Sequence, residues 1–342
     1  MEYGLYEKVL DMTTKNKIDK ENHSKIRSID NNEIPGVIST AYKKLIYEMI
    51  LNLKSNKERI DFINQINKSI GLEEFYIKEA KYKELLLLHN DEDKFNELNE
   101  FRPRTSIANS SLFTGNSELT LESELRREIR TADRIDFLIS FIKYSGLRLI
   151  YDDLVEFTKK NKLRVITTSY MGASDYKAIL ELSKLPNTEV KISYDTKRTR
   201  LHAKAYHFKR ETGFSTAYIG SSNLSNPALS NGLEWNLKVS EYTSKDVINS
   251  LSKTFESYWN DNEFAKFEPR NEKNRMELKR SLSLKGKDDR GYIFFDLRPY
   301  SHQKEILEDL NLEREEYGSF KNLVIAATGG TCHNSDGCSL CY

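Results

Sequence analysis

Six short apolar runs constrain the fold of this chain more than any other feature. They are rich in the β-branched and aromatic residues typical of strands, and they lie at 134–142, 163–170, 188–195, 201–209, 215–221 and 234–240. Stretches with helical apolar spacing accompany them at 121–132, 145–159, 173–185 and 245–261. Strands alternating with helices predict an α/β domain, and the short connections between the later runs predict that part of the sheet is antiparallel.

The patterning changes along the chain and predicts five parts. Residues 1–100 are polar with helical apolar spacing, which predicts a small all-helical N-terminal domain. The α/β domain follows at 101–268, and a charged, poorly patterned linker at 269–290. Residues 291–331 end in an apolar strand and Ala-Thr-Gly, which is how a phosphate-binding loop begins, and residues 332–342 form a tail.

The start of this phosphate-binding loop lacks the Gly-Lys-Thr that should close it. We therefore expect no useful ATP binding by this chain, which ends just inside a motor domain. All three cysteines, Cys332, Cys338 and Cys341, fall in the tail. A zinc knuckle around Cys338 and Cys341 is one interpretation, but a single half-motif has nothing to fold around, so we interpret 332–342 as a non-native tail.

Composition excludes several classes of protein. The net charge is only +1, so any surface that binds nucleic acid must be local. No apolar run reaches the ~18 residues of a membrane span, and the N-terminus has no apolar signal segment. The absence of cysteine before residue 332 excludes a disulfide framework. We expect a cytoplasmic protein without a membrane partner.

The chemistry is carried by five polar residues spread over three of the apolar runs. His202 and Lys204 are two apart in the run 201–209, and a period of two puts both side chains on one face of a strand. Ser221 ends the next run and Asn223 comes two residues later, and Glu234 starts the run after that. One imidazole, one cation, two short polar donors and a carboxylate can cleave a phosphodiester without a metal.

The five residues divide into distinct roles. We predict that His202 is the nucleophile and Glu234 the carboxylate that fixes its tautomer. Lys204, Ser221 and Asn223 would stabilise charge on the non-bridging oxygens of the phosphate. An ordinary strand histidine with satisfied hydrogen bonds is the alternative interpretation of His202.

A second group must protonate the leaving oxygen, and the five-residue set supplies only one imidazole. The natural source is His202 of a second subunit across a twofold axis, so the sequence predicts a homodimer with one composite site. A basic run surrounds the motif and predicts contacts to a DNA backbone through Lys197, Arg198, Arg200 and Lys209.

The motif His202-x-Lys204, Gly220-Ser221-Ser222-Asn223 and Glu234 resembles the active-site signature of the phospholipase D superfamily, in its nuclease branch. The resemblance implies a phospholipase D-like mixed β-sheet flanked by helices. It also implies metal-independent cleavage of DNA through a covalent phosphohistidine, with no cofactor for the nuclease domain. One departure is Lys209, because the superfamily pattern places Asp five residues after the lysine.

Segments near 140–148, 166–173 and 199–224 are similar to the nuclease region at the front of DEAD/DEAH-type helicases. Arg298-Pro299-Tyr300 with Gln303 resembles the adenine-reading motif that opens such a helicase core. The order is that of ATP-dependent, modification-dependent (type IV) restriction enzymes of the SauUSI kind. The resemblance implies partner helicase and modification-reading domains, with ATP needed only by the full-length helicase.

Two other functions stay open from the residues alone. The first is a non-catalytic dimerisation and DNA-binding module that keeps the fold without cleaving. The second is a lipid phosphodiesterase, against which the lack of a secretion signal and of an amphipathic lipid-docking stretch both argue.

Overall fold

The chain separates into two compact units at residue 100 in a computed structural model. The structure describes residues 5, 9–10, 12–17, 24–77, 83–115, 119–194, 201–230 and 232–283. The predicted helicase start at 291–331 and the predicted tail at 332–342 lie outside the described residues. Each unit is described separately below.

The first unit is helical, as expected. Its helices are α1 (Met12–Lys17), α2 (Ile34–Asn52), α3 (Asn56–Ser69) and α4 (Glu92–Glu100). Ser55 caps α3, because its side chain accepts a hydrogen bond from the backbone N–H of Glu58 at 3.2 Å. Asn64 on α3 holds the following chain by bonding the backbone N–H and carbonyl of Ile77, each at 2.9 Å.

The second unit is built on one mixed sheet of eight strands in the order β1-β7-β6-β5-β2-β3-β4-β8. The strands are β1 (Ser111–Phe113), β2 (Arg134–Ile139), β3 (Lys162–Thr168), β4 (Thr188–Ser193), β5 (Lys204–Lys209), β6 (Thr216–Gly220), β7 (Asn236–Ser240) and β8 (Phe264–Phe267). The β2–β3 and β3–β4 pairs are parallel, and the other neighbouring pairs are antiparallel. The prediction of a mixed α/β sheet flanked by helices is confirmed.

Six helices accompany the sheet: α5 (Leu121–Thr131), α6 (Tyr144–Thr158), α7 (Tyr176–Lys184), α8 (Asn226–Leu229), α9 (Lys245–Asn260) and α10 (Glu272–Ser283). The main core joins the sheet to the apolar stripes of α5, α6 and α7 through fully buried side chains such as Leu125, Leu147 and Leu182. Phe255 of α9 closes a smaller cluster with Leu138 and other strand residues. Helices therefore cover both faces of the sheet.

A buried ionic cluster ties α5 to the antiparallel strands. Glu128 accepts Arg210 at 2.6 Å and Lys238 at 3.0 Å, and the side chains of Glu128 and Lys238 are both fully buried. The hydroxyls of Tyr218 and Thr216 donate to the same carboxylate at 2.9 Å. Burial alone would raise the pKa of Glu128, but the charges and hydrogen bonds of Arg210 and Lys238 lower it to about 2.

A second ionic cluster explains how the chain accommodates Lys209. The Lys209 ammonium lies 2.7 Å from the buried carboxylate of Asp136 on the neighbouring strand β2, and Arg164 forms a bidentate pair with the same carboxylate at 2.7 and 2.8 Å. Burial raises the pKa of Asp136, and these two cations outweigh it and lower the pKa overall. A cation at position 209 is therefore matched by an acid on β2.

The structure places a helix, α10, inside the segment that the sequence predicts to be a linker, 269–290. Leu278 of α10 is fully buried in the main core, and the helix packs on α7 and on a turn at Tyr170–Gly172. Half of the residues of this helix are charged, so its few apolar positions give almost no periodic signal. The short strands β1 and β8 were also missed, since each has no more than four residues.

The buried cluster around Glu128 yields a stability prediction. Glu128→Ala leaves Lys238 and Arg210 without their shared carboxylate, so we expect a loss of about 3–5 kcal/mol in the free energy of unfolding. Urea denaturation followed by tryptophan fluorescence measures it, since both tryptophans, Trp235 and Trp259, belong to this unit. As the control, Glu181→Ala removes an exposed pair with Lys184 and should cost less than about 1 kcal/mol. Equal losses in the two variants would refute the account of the cluster.

Candidate active site

The five predicted residues lie at one edge of the sheet. Strand β5 runs antiparallel to both β2 and β6, so its N-terminal end meets their C-terminal ends. Strand β7 runs antiparallel to β6, so it also begins at this edge. His202 and Lys204 stand at the start of β5, Ser221 and Asn223 follow β6, and Glu234 precedes β7.

The closest contact of the site joins His202 and Lys204. The Lys204 ammonium lies 3.1 Å from Nδ1 and 3.0 Å from Nε2 of His202, and it donates to the His202 carbonyl at 2.9 Å. His202 is exposed, whereas Lys204 is buried and 7% exposed. Burial and the Lys204 charge both lower the pKa of His202, so its imidazole is neutral at neutral pH. A neutral ring keeps the lone pair that a nucleophile needs.

Asn223 is oriented by the end of β2. The backbone N–H of Phe141 donates to its side-chain oxygen at 3.2 Å. A backbone N–H can only donate, so the amide oxygen faces the protein and the NH₂ group stays available as a donor. The Phe141 ring also packs against the imidazole of His202, with 6.1 Å between ring centroids. Phe141 therefore connects His202 and Asn223.

Ser221 and Ser222 hold the loop after β6 against the start of β7. The Ser221 hydroxyl oxygen accepts the backbone N–H of Trp235 at 3.1 Å, and Ser221 itself is exposed. Ser222 is fully buried, and its hydroxyl accepts the Asn236 amide at 2.7 Å. Gly220 is required here, because a Cβ would collide with the Trp235 carbonyl. The loop thus presents Ser221 to solvent on a fixed backbone.

Glu234 is half-buried and acts electrostatically on Lys204. Burial lowers the pKa of Lys204, and the Glu234 carboxylate partly opposes this by raising it. The predicted hydrogen bond between Glu234 and His202 is not among the contacts of the described residues, where both ring nitrogens face the Lys204 ammonium instead. The Glu234 carboxylate therefore acts on Lys204 rather than on His202.

Of the four residues predicted to contact DNA, the structure describes only Lys209. Lys197, Arg198 and Arg200 lie outside the described residues. Lys209 is at the far end of β5, about 17 Å along the strand from Lys204, and is paired with Asp136.

Within the described ranges, no group of three or more His, Cys, Asp or Glu side chains is arranged to hold a metal ion. None of the helices in these ranges is long and apolar enough to cross a membrane.

Two residues that shape the site were not among those predicted from sequence. Phe141 could have been identified, because it lies near the C-terminal end of the run 134–142 and so had to lie at this edge. Asn236 gave no signal, since one asparagine at the start of a strand is common and its role depends on the partner Ser222 across the ladder.

Comparisons with known proteins agree with this architecture. Residues 125–259 match the family described as "Cardiolipin synthase, PLD-like domain". A search of curated protein sequences found no significant match.

Solved structures that match the chain include three at low sequence identity. NucT from Helicobacter pylori is 20% identical, with a TM-score of 0.33, and the match covers 44% of this chain and 94% of NucT. The phospholipase D family member Nuc from Salmonella typhimurium is 16% identical, with a TM-score of 0.36, covering 46% and 99%. A phosphatidylserine synthase from Haemophilus influenzae Rd KW20 is 12% identical, with a TM-score of 0.35, covering 60% and 46%.

The contact between His202 and Lys204 predicts a coupled titration. Lys204→Met removes the cation beside the ring, so the pKa of His202 should rise towards its ordinary value of 6.5. NMR titration of the ring signals measures it, with His202→Ala used to assign the resonance. Lys209→Met is the matched control, because Lys209 lies at the other end of β5. It should leave the pKa of His202 unchanged and raise that of His207, which burial and Lys209 both lower. A His202 pKa that is the same with and without Lys204 would refute the coupling.

Proposed function

We propose that this chain is a DNA phosphodiesterase that cuts through a covalent phosphohistidine on His202 and requires no metal. The observation that carries the proposal is the buried Lys204 ammonium against a neutral, exposed imidazole, within the residues that match the PLD-like family. This pair supplies a nucleophile and a fixed cation for the same phosphate. Among phosphodiesters, DNA is favoured by the basic residues Lys197, Arg198 and Arg200 that precede the motif in the sequence.

In the first step, a ring nitrogen of His202 donates its lone pair to phosphorus, and the bond from phosphorus to the leaving oxygen breaks. A general acid protonates that oxygen. Water then attacks phosphorus and passes a proton to the group that acted as general acid, the P–N bond breaks, and the DNA end leaves as a phosphomonoester with the imidazole free. No oxidant or reductant is needed.

The neighbouring residues act on the charge that develops at phosphorus. Lys204 would turn from the ring nitrogens to the non-bridging oxygens, where the free NH₂ of Asn223 and the hydroxyl of Ser221 add hydrogen bonds. With the ammonium engaged by phosphate, Glu234 is free to orient the imidazole and support its positive charge.

The general acid is the His202 of a second copy, which gains its proton when the phosphate binds and Lys204 turns to the phosphate oxygens, and this makes the enzyme a homodimer with one composite site. A row of exposed aliphatic side chains supports this arrangement, because Leu112, Leu237 and Ile219 lie side by side on adjacent strands. Their exposed fractions are 54%, 46% and 37%. Trp235, which borders Ser221, extends the row to the site at 64% exposure. A second copy that covers these residues would bring the two sites together.

The biological setting that we propose is an ATP-dependent, modification-dependent restriction enzyme. The support is the motif Arg298-Pro299-Tyr300 with Gln303 and the Ala-Thr-Gly after an apolar run, both in the sequence that follows the domain. In that setting ATP serves the helicase, and a separate domain reads the modified base.

Cleavage of supercoiled plasmid in EDTA tests the catalytic proposal. Wild-type chain should nick the plasmid without added metal, and His202→Ala should lower the rate at least about a thousandfold because the nucleophile is lost. His89→Ala is the matched control, since His89 is exposed in the helical unit and should leave the rate unchanged.

Four results would contradict this proposal. Nicking that requires a divalent metal, or that survives His202→Ala, would exclude the mechanism. Faster turnover of a phosphatidyl lipid than of DNA would identify a lipid phosphodiesterase instead. DNA binding without cleavage, unchanged by His202→Ala, would indicate a non-catalytic module.

If two copies share one composite site, a charge placed in the exposed aliphatic row should disrupt both the dimer and the nicking activity. Leu237→Asp puts a charge in the centre of the row, so we expect a monomer in sedimentation analysis and a nicking rate at least about tenfold lower. Val247→Asp, at a position of α9 that is 41% exposed, should leave both properties unchanged. A fully active Leu237→Asp monomer would exclude a site shared between two copies.

A further inference from the structure

A line of lysines leads away from the active-site edge across the N-terminal ends of α6 and α7. Lys143 comes directly before α6, and its backbone N–H donates at 2.8 Å to the carbonyl of Leu224, the residue after Asn223. The line therefore begins at the loop that carries Asn223. Its further members are Lys177, near the start of α7, and Lys279 on α10.

Each of the two outer lysines lies over a tyrosine ring. The Lys177 ammonium is 3.9 Å from the centroid of the Tyr144 ring, and Tyr144 is the chain neighbour of Lys143. The Lys279 ammonium is 5.0 Å from the centroid of the Tyr176 ring, and Tyr176 is the neighbour of Lys177. Lys177 therefore contacts the residue next to Lys143, and Lys279 contacts the residue next to Lys177, so the three ammonium groups follow one another in a line. We call Lys143, Lys177 and Lys279 the lysine track.

The outer lysines carry uncompensated charge. Lys177 and Lys279 are both exposed, and within the part of the chain that the structure describes neither contacts a carboxylate. Half of the other lysines on the helices and strands of this unit are paired with carboxylates, as Lys184 is with Glu181 at 2.8 Å and Lys162 with Glu189 at 2.6 Å. Lys143 is intermediate, since it contacts Asp175 at 3.2 Å.

The position of Lys279 depends on α10. The buried Leu278 fixes the helix in the core, and a side chain at Gly172 would collide with the Leu282 carbonyl. Gly172 itself adopts a positive φ of 59°, which favours glycine, so the turn and the helix fit each other closely. The ammonium at the end of the track is therefore held on a rigid element.

We propose that the lysine track binds the phosphate backbone of the DNA on one side of the scissile phosphate. Cations held over rings and left without acidic partners attract a polyanion while losing little side-chain freedom. A lysine covers one face of each tyrosine ring and both rings pack against the main core, so the track contacts phosphates rather than stacking bases. This inference rests on the proposed function, because it assigns the path of the same substrate.

The test measures DNA affinity rather than cleavage, in a His202→Ala background that leaves the DNA intact. Lys177→Ala with Lys279→Ala should weaken binding of a fluorescent duplex of about 20 base pairs roughly tenfold near physiological salt, and should lower the slope of log K against log[salt] by about 2. The matched control is Lys160→Ala with Lys184→Ala, because it removes the same charge from exposed positions at the opposite ends of α6 and α7. Circular dichroism of both variants shows whether they are folded.

The outcomes separate this inference from the proposed function. Equal affinities and salt slopes in the track variant and the control variant would overturn the track and leave the nuclease proposal intact. Weaker binding to phosphatidylglycerol vesicles but not to DNA would also overturn it, and would assign the surface to a lipid. No DNA binding by the His202→Ala parent would overturn both proposals. A selective loss of DNA affinity and salt slope in the track variant supports the inference.

Discussion

The Lys204 ammonium lies 3.0 and 3.1 Å from the two ring nitrogens of His202, and both side chains come from one short stretch of chain. Two groups that both accept a proton cannot easily share this space as cations, so the buried lysine keeps the exposed imidazole neutral. The same two groups are what an attack on phosphorus needs: a lone pair and a fixed positive charge beside the phosphate oxygens.

The sheet topology keeps this contact at an accessible edge. Because β5 and β7 run against β2 and β6, polar residues that are far apart in sequence meet where these strands begin and end. The antiparallel strands are held to α5 by the buried Glu128, with its two cations. At the other end of β5, Lys209 has its own acid in Asp136. Of the two lysines of β5, Lys204 therefore contacts the imidazole of the site, and Lys209 forms a structural ion pair with Asp136.

Periodicity was sufficient to predict the mixed α/β fold. The runs at 134–142 and 163–170 became β2 and β3 with small shifts of their ends, because buried strands need continuous apolar residues. The elements that were missed, β1, β8 and α10, are short or highly charged and owe their structure to tertiary contacts such as the burial of Leu278.

The sequence indicated which residue types could form the site but not how they contact one another. A spacing of two put His202 and Lys204 on one face, but nothing in it showed that the ammonium would face the ring rather than point into solvent. The orientation of Asn223 depends on a backbone N–H of Phe141, 82 residues away. The lysine track is defined by contacts between α6, α7 and α10, and no local pattern carries that information.

The central claim is that the imidazole of His202 bonds to phosphorus during the reaction. Mass spectrometry of chain quenched in alkali during cleavage tests it most directly, because a phosphohistidine survives base and trypsin releases residues 201–204 as one short peptide. The account predicts a DNA-derived phosphate adduct on His202 in that peptide. An active chain that carries the adduct on another residue, or that turns over with no adduct at all, would contradict it.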